Sequence, residues 1–497
     1  MSPQTPSSAE NLRLILGLKL KKYRNEKGLS LKELSEKTGL SLSYISEIES
    51  GKKYPKPEKM ITLAKALDIS FDDLVSQKVD ETLDPLAELM ESDLVREFPF
   101  DLFGIAPRDI MQLFSDEPKK AASFLHTFFE ISRAYDMSVE HFLLAALRTY
   151  QKLHFNYFEE IEEQAAEYRK KLDLKEREIP DFRLLQSLLE KDHGYNVDYE
   201  AIAREPELNS FRSIWIEGKE PRLCINPELL DSQKAFVLGR DLAYELYKLK
   251  QRAQTSSWMK VESFEQLLNN FRASYFAGAL LLPRQALVKD LETFIGLPLF
   301  DDKRFLQLMD DYNATPEMFL YRLSQLLPGV FDLKDLFYLR FTYNKEHDEF
   351  ALSKELNMTQ MLVPYGIGLN EHYCRRWLPV KLLQQIKKNP GDRLCGIQRV
   401  RFVDEGTELV MISIARPLQL SPGKHSAMTI GFLLNEKARR LFGFLEDPDI
   451  PFSEVGETCE RCQISDCRER VALPRILEQR QKLKRQEQAL KDFLNNI

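Results

Sequence analysis

Near the C-terminus, VGETCERCQISDCRERVALP places Cys459, Cys462 and Cys467 in the spacing C-x2-C-x4-C. Thiolates this close in sequence bring soft donors together at little entropic cost, which suits an iron–sulfur cluster or zinc. Either calls for a fourth ligand, and Cys374, Cys395 and Cys224 are the remaining cysteines. The alternative is three free thiols in a surface loop. The seven histidines are scattered with no i, i+4 pair, so no helix carries a two-histidine metal site. A different chemistry is written at Ser41–Lys53, where Ser41, Ser43, Tyr44, Ser46 and Glu47 form a short polar face followed by Lys52 and Lys53. Small polar side chains on a helix backed by cations suit entry into a DNA groove.

The elements that hold this face are punctuated clearly. Residues 10–76 read as five short helices. The first runs from about Asn11 to Glu26, with Gly28 as a left-handed stop. Ser30 caps the next, with Glu33 completing a capping box, and Gly39 ends it. Ser41 caps the third, Pro57 opens the fourth and Ser70 caps the fifth. Two short helices joined by a tight turn make a helix-turn-helix unit. Leu31, Leu34, Leu40, Leu42, Ile45 and Ile48 are expected to pack inward with Leu63 and Leu67. From Lys19 to Lys65 there are twelve Lys and Arg against six Glu, a local charge of +6 in a chain whose net charge is −7. Such a basic window is the footprint of a polyanion-binding module.

A chain of 497 residues, 43% hydrophobic and 30% charged, is long enough for several cores. Its apolar runs are too short to cross a membrane, and the N-terminus lacks the pattern of a signal peptide. Six cysteines in this length do not suggest a disulfide scaffold, so a cytoplasmic location is expected, where their clustering points to metal before bridges. After Val79 the sequence reads as connecting. Residues 118–172 then look almost wholly helical, with Phe124, Phe128, Phe129, Phe142 and Leu143 at core or oligomer spacing. From about Asp335 the texture changes. RLCGIQRVRFV, ELVMISIARPL and SAMTIGFLLN, separated by turn signals at NPGD, DEGTE and SPGKH, point to an antiparallel sheet flanked by the helix KLLQQIKK. The last segment, ILEQRQKLKRQEQALKDFLNNI, reads as an amphipathic helix suited to packing or dimer formation.

The stretch LKLKKYRNEKGLSLKELSEKTGLSLSYISEIESGKKYPKPEKMITLAKAL resembles the Xre/Cro-repressor family of lambda-repressor-like helix-turn-helix domains. The resemblance implies that Ser43 and Glu47 read bases, with Leu42 beside them. It implies that Ser41, Tyr44, Lys52 and Lys53 contact phosphates, and that the protein binds double-stranded operator DNA as a homodimer. AFVLGRDLAYELYKL and FRASYFAGALLLPRQAL resemble the ImmA/IrrE-type zincin-like domain. That family carries H-E-x-x-H on a helix, and here Tyr244, Glu245 and Lys248 stand in those places. Asn270–Ala273 offers no acid where the family has its third ligand. The domain is therefore expected to be a degenerate scaffold with no catalytic residues. HYCRRWLPVKLL, the segments through ISIARPL, and GETCERCQISDCRERVALP resemble the short-chain fatty acyl transcriptional regulator family. That resemblance implies acyl-CoA sensing, an iron–sulfur cluster in some members, and Cys374 as fourth ligand through its C-x-x-W match with Trp377. Arg375 stands where the family has proline.

The expected architecture is multidomain, mainly α with an α+β C-terminal part. It comprises an Xre-type helix-turn-helix domain (10–78), a helical connecting or dimerisation region (79–175) and a degenerate IrrE-like domain (176–330). A C-terminal mixed α/β sensor domain with the cysteine cluster (335–475) and a terminal helix (476–497) complete it. The expected function is a DNA-binding regulator responding to a small-molecule effector, short-chain acyl-CoA, or to cluster redox state. The alternatives are an IrrE-type zinc peptidase and an antitoxin-like autoregulator.

Overall fold

The computed structural model describes residues 8–75, 99–104, 127, 130–131, 139–255, 261–359, 371–388, 393–404 and 406–495. The chain divides into two compact units, Met1–Tyr150 with Glu262–Phe264, and Gln151–Val261 with Glu265–Ile497. Among the described residues no helix is long and apolar enough to cross a membrane.

The first unit holds α1 (Ser8–Glu26), α2 (Leu31–Thr38), α3 (Leu42–Glu49), α4 (Pro57–Leu67) and α5 (Phe71–Val75). Its caps are those that the side chains dictate. Ser30 Oγ accepts from the Glu33 N–H at 3.2 Å while Glu33 accepts from the Ser30 N–H at 2.7 Å. Ser41 and Ser70 cap α3 and α5 through their hydroxyls, which accept from the N–H groups of Tyr44 and Asp73, and Gly28 and Gly39 take the left-handed backbone that ends the preceding helix. Leu16, Leu20, Leu34, Ile45, Ile48, Leu63 and Leu67 form one core.

Two features of this core were not read from the sequence. Gly17 lets α1 cross the C-terminal end of α3 closely: a Cβ there would lie 2.4 Å from the Ile48 carbonyl oxygen. Arg24 forks onto Glu49 at 2.7 and 2.9 Å, with both side chains nearly buried. Breaking a pair so enclosed typically costs about 3–5 kcal/mol, because the surviving charge is left unpaired. Lys19 is also buried, donating to the Asp73 carbonyl at 3.0 Å. Two of the cations counted in the basic window therefore serve the core. Leu42 departs from the expected inward set. It is 47% exposed, because it begins α3 at the end away from the α1 crossing, where nothing covers it.

Phe142 and Leu143 fall on α6 (Val139–Leu153), Leu143 buried, whereas Phe124, Phe128 and Phe129 lie outside the described residues. The helical stretch expected up to residue 172 is broken at Phe155 and Asn156, whose φ values are 49° and 53°. Asn156 is fully buried and bonds Gln151 and Ser324 at 3.1 Å each, so the break is fixed by side-chain hydrogen bonds. Next comes α7 (Glu159–Lys171). It belongs to the second unit, where Glu162 forks onto the buried Arg322 at 2.5 and 2.7 Å.

The second unit continues with α8 (Phe182–His193) and a small sheet of β1 (Asn196–Asp198), β2 (Ser213–Ile216) and β3 (Arg222–Ile225), in the order β1-β3-β2. There follow α9 (Asp231–Leu246), α10 (Phe264–Leu281), α11 (Arg284–Ile295), α12 (Asp302–Asp311) and α13 (Pro316–Phe331). A six-stranded sheet is then built from β4 (Leu336–Asn344), β5 (Glu349–Asn357), β6 (Leu394–Phe402), β7 (Glu408–Pro417), β8 (Lys424–Leu433) and β9 (Phe452–Val455). Its order is β5-β4-β8-β7-β6-β9, antiparallel except between β6 and β9. Strand alternation sorts its faces. Phe337, Leu339, Phe341 and Tyr343 join the core with Trp377, Leu383 and Ile386, at and within α14 (Leu378–Lys388). Tyr338 and Arg340 point the other way, toward α13, where the Tyr321 and Tyr338 rings meet edge to face at 5.2 Å. The chain closes with α15 (Glu436–Leu441) and α16 (Arg475–Asn495), the latter without a buried residue. The three segments expected as strands are β6, β7 and β8. Of the turn signals, NPGD falls outside the described residues.

Candidate functional site

The polar face of α3 is presented outward. Ser41, Leu42 and Ser43 are exposed, as are Lys52 and Lys53 in the following turn. Ser41 Oγ accepts from the Tyr44 N–H at 3.2 Å and lies 3.2 Å from Ser43 Oγ, so its first task is capping. Glu47 pairs with Lys53 at 3.1 Å, and the same ammonium sits 5.0 Å from the centre of the Tyr44 ring. The residues expected to meet DNA are thus brought together on one surface. Glu47 must exchange Lys53 for a base edge to read sequence, an exposed pair of the kind that is weakly held.

The positions corresponding to H-E-x-x-H are arranged differently from a two-histidine helix face. α9 ends at Leu246, and Lys248 has φ 52°, in the left-handed region. The Leu249 N–H bonds the Tyr244 carbonyl at 3.0 Å and the Lys248 N–H bonds the Glu245 carbonyl at 3.2 Å. This paired pattern terminates a helix, so the second ligand position has left the helical face. Arg252 fills the neighbourhood. Its guanidinium lies 4.6 Å from the Tyr244 ring centre and 4.4 Å from that of Trp215. It donates to Tyr195 Oη at 2.7 Å and pairs with the fully buried Asp241. Tyr195 in turn donates to Glu245 at 2.5 Å. Glu245, the one surviving member of the motif, is thus the acceptor in a network organised by an internal cation. Burial brings the Arg252 guanidinium down to about 10 and pushes the Tyr195 hydroxyl up to about 12. Arg252 and Tyr195 were missed in the sequence, because neither belongs to a motif and their contacts span tens of residues.

Around the cysteines, a bridge pairs Tyr373 with Thr458, and the Cys459 N–H donates to the His372 carbonyl at 2.8 Å. The segment carrying Cys374 therefore lies against the one carrying Cys459 and Cys462. All three thiols are buried, while Cys467 is half-buried. The Cys462 side chain abuts Gly456, where a Cβ would stand 2.8 Å from its sulfur. Trp377 Nε1 donates to the Gly456 carbonyl at 3.0 Å, and Arg470 gathers the carbonyls of Cys459, Cys462 and Ile464 at 2.7, 3.1 and 2.5 Å. Burial pushes the Cys374 thiol up to about 11, opposed by N–H groups of Arg376 and Gly456 directed at it. Arg375, in the place of the family's proline, stacks its guanidinium 4.2 Å from the Phe350 ring centre, beside Cys374 and Cys459. Among the described residues no three His, Cys, Asp or Glu side chains close on one point as a single ion requires. Cys224 on β3 and Cys395 on β6 lie on other elements.

Residues 20–74 match the helix-turn-helix family model, and residues 190–324 match that of the IrrE N-terminal-like domain. The chain therefore carries an Xre-type helix-turn-helix domain followed by an IrrE-like domain. No curated protein matches it. Among solved structures, a Mycobacterium tuberculosis transcriptional regulator aligns over 65% of this chain and 92% of its own, at 16% identity and a TM-score of 0.45.

Proposed function

We propose that this protein is a non-enzymatic, sequence-specific DNA-binding transcription regulator of the cytoplasm, whose second unit responds to a small-molecule effector. The observation that carries the reading is the exposed polar face of α3, capped by Ser41 and flanked by Lys52 and Lys53, within a helix-turn-helix domain. Ser43 and Glu47 read base edges in the major groove; Ser41, Tyr44, Lys52 and Lys53 fix the helix against phosphates, with Leu42 packing beside the bases. The peptidase alternative is disfavoured by the Arg252 network at Glu245 and by the end of α9 before Lys248.

For the effector we propose a short-chain acyl-CoA, on the strength of the resemblance carried by HYCRRWLPVKLL and the cysteine motif. Cys374, Cys459, Cys462 and Cys467 are assigned as ligands of an iron–sulfur cluster, with zinc as the competing occupant. The donor set suits such a group: soft sulfurs with N–H groups and cationic side chains about them. A cluster there supplies one-electron redox chemistry. The protein's own residues hold the two cysteine segments together through the Tyr373–Thr458 bridge and Arg470.

The test is selection of binding sequences from a random duplex pool with the full chain, followed by affinity measurements on the selected operator. Ser43→Ala and Glu47→Ala should relax sequence preference by about 1–3 kcal/mol at one base pair. Lys52→Ala should weaken binding to all duplexes and flatten the salt dependence by about one unit of slope. Selection that returns no consensus overturns the reading. Butyryl-CoA should change operator affinity of the wild type; unchanged affinity at saturating concentration removes the acyl-CoA assignment alone.

A further inference from the structure

Where the N-terminal turn of α13 meets the free face of the large sheet, positive charge accumulates without matching negative charge. Arg340 on β4 and Lys354 on β5 are register partners, and Arg416 on β7 lies on the same face, two residues along from the row of Arg340. Arg212, just before β2, reaches the same place. Among the described residues a single carboxylate, Glu317 in the first turn of α13, pairs with Arg212, Arg340 and Lys354. It accepts from Arg212 at 3.3 Å and Arg340 at 3.4 Å, and its oxygen lies 3.9 Å from Lys354 Nζ. Four cations around one anion leave three charges unbalanced.

The second observation concerns hydrogen bonding. The Tyr338 side chain is fully buried, yet its hydroxyl has no partner, and neither does Nε of Arg340 or of Arg416. Buried donors are ordinarily satisfied, and each unmade bond costs about 1–3 kcal/mol. Lys354 Nζ hovers 4.1 Å from the Tyr321 ring centre and 5.7 Å from that of Tyr338, held over aromatic faces instead of in an ion pair of its own. The side chains of Lys354 and Arg212 are 42% and 39% exposed, so the cluster is open to solvent on one side. Its electrostatics agree: against the upward push of burial, three cationic neighbours hold the Glu317 carboxyl far below the usual range, and burial lowers Arg416.

We propose that Arg212, Arg340, Lys354 and Arg416, with the Tyr338 hydroxyl, bind a small-molecule oxyanion of the phosphate-ester or diphosphate class. A ligand carrying two or more negative charges neutralises the excess that a single carboxylate leaves. Its tetrahedral oxygens also accept from donors that approach from separate strands, which planar carboxylates meet less well. This deepens the effector half of the proposed function and rests on it for the purpose of the site. Its test uses no DNA, so the two fail separately.

The experiment is isothermal titration of the full chain with sodium pyrophosphate at low ionic strength, with inorganic phosphate and succinate as parallel titrants. Pyrophosphate should bind saturably, one per chain, more tightly than phosphate and much more tightly than succinate. Arg416→Met and Lys354→Met should each weaken it about tenfold or more, as expected for losing a charge-assisted hydrogen bond. The unliganded variants should melt no lower than the wild type, because each relieves like-charge repulsion. If Arg416→Met fails to fold, Lys354→Met, at a half-exposed position, carries the same measurement. Absence of saturable binding by the wild type overturns the proposal. So does succinate binding as tightly as pyrophosphate, binding that Lys354→Met leaves within twofold, or displacement of pyrophosphate by a duplex of arbitrary sequence.

Discussion

Cys374 and the Cys459–Cys462 pair lie buried on adjoining segments, which are held together by backbone and guanidinium contacts. Replacing both Cys459 and Cys462 by Ser should therefore leave the fold intact by circular dichroism. It should abolish the visible absorbance and the iron and sulfide content of anaerobically purified protein. Equal metal content in wild type and variant would remove these cysteines as ligands, and zinc in place of iron would settle the occupant. At this scale the sequence was informative where chemistry is local. Ser30, Ser41 and Ser70 were legible from capping rules. Spacing nominates Cys459, Cys462 and Cys467 as ligands, and Cys374 is nominated only through a family resemblance. Arg252, Tyr195 and the partners of Glu317 were not legible, because nothing in a one-dimensional pattern marks which distant arginine a fold will bury. Leu42 was misplaced for a related reason: apolar spacing gives a stripe on a helix but not how far the neighbouring helix extends along it.

Helix ends decide more here than helix interiors. The termination of α9 at Leu246 sends Lys248 into left-handed backbone, so restoring imidazoles by sequence does not restore an i, i+4 ligand pair. The double variant Tyr244→His, Lys248→His should take up no stoichiometric zinc by elemental analysis. It should also lose stability, because the Tyr244 ring under Arg252 is removed. Tight zinc binding by this variant would show that α9 extends readily by a turn and that the end described here is not decisive. Elements were legible in proportion to the length of their periodic pattern. The five N-terminal helices, β6, β7, β8 and α14 were read with their types correct. β1, β2 and β3 span only three or four residues each, too few to display alternation. The apolar run of β4 follows an equally apolar helix, so neither period stood out, and the break at Phe155–Asn156 rests on buried hydrogen bonds to Gln151 and Ser324.

For the molecule as a whole, Gln151–Val261 with Glu265–Ile497 form one compact unit that includes both the IrrE-like region and the six-stranded sheet. The dimer expected of such a helix-turn-helix regulator would find a surface on α16. Leu483, Leu490 and Leu494 are 57%, 58% and 63% exposed along one side of that helix. Light scattering should show a dimer whose dissociation constant rises about tenfold to a hundredfold in Leu490→Glu, the worth of one buried leucine. A mass that this change leaves untouched at every concentration would place the dimer contact elsewhere. The Arg252 network has a consequence at this scale as well. A scaffold whose Glu245 is answered by its own guanidinium network is expected to hold that network without an added ion. Cells starved of trace elements, or lysates treated with strong chelators, should yield the IrrE-like region as completely folded as rich medium does, leaving the nutritional state of the cell free to act elsewhere in the chain.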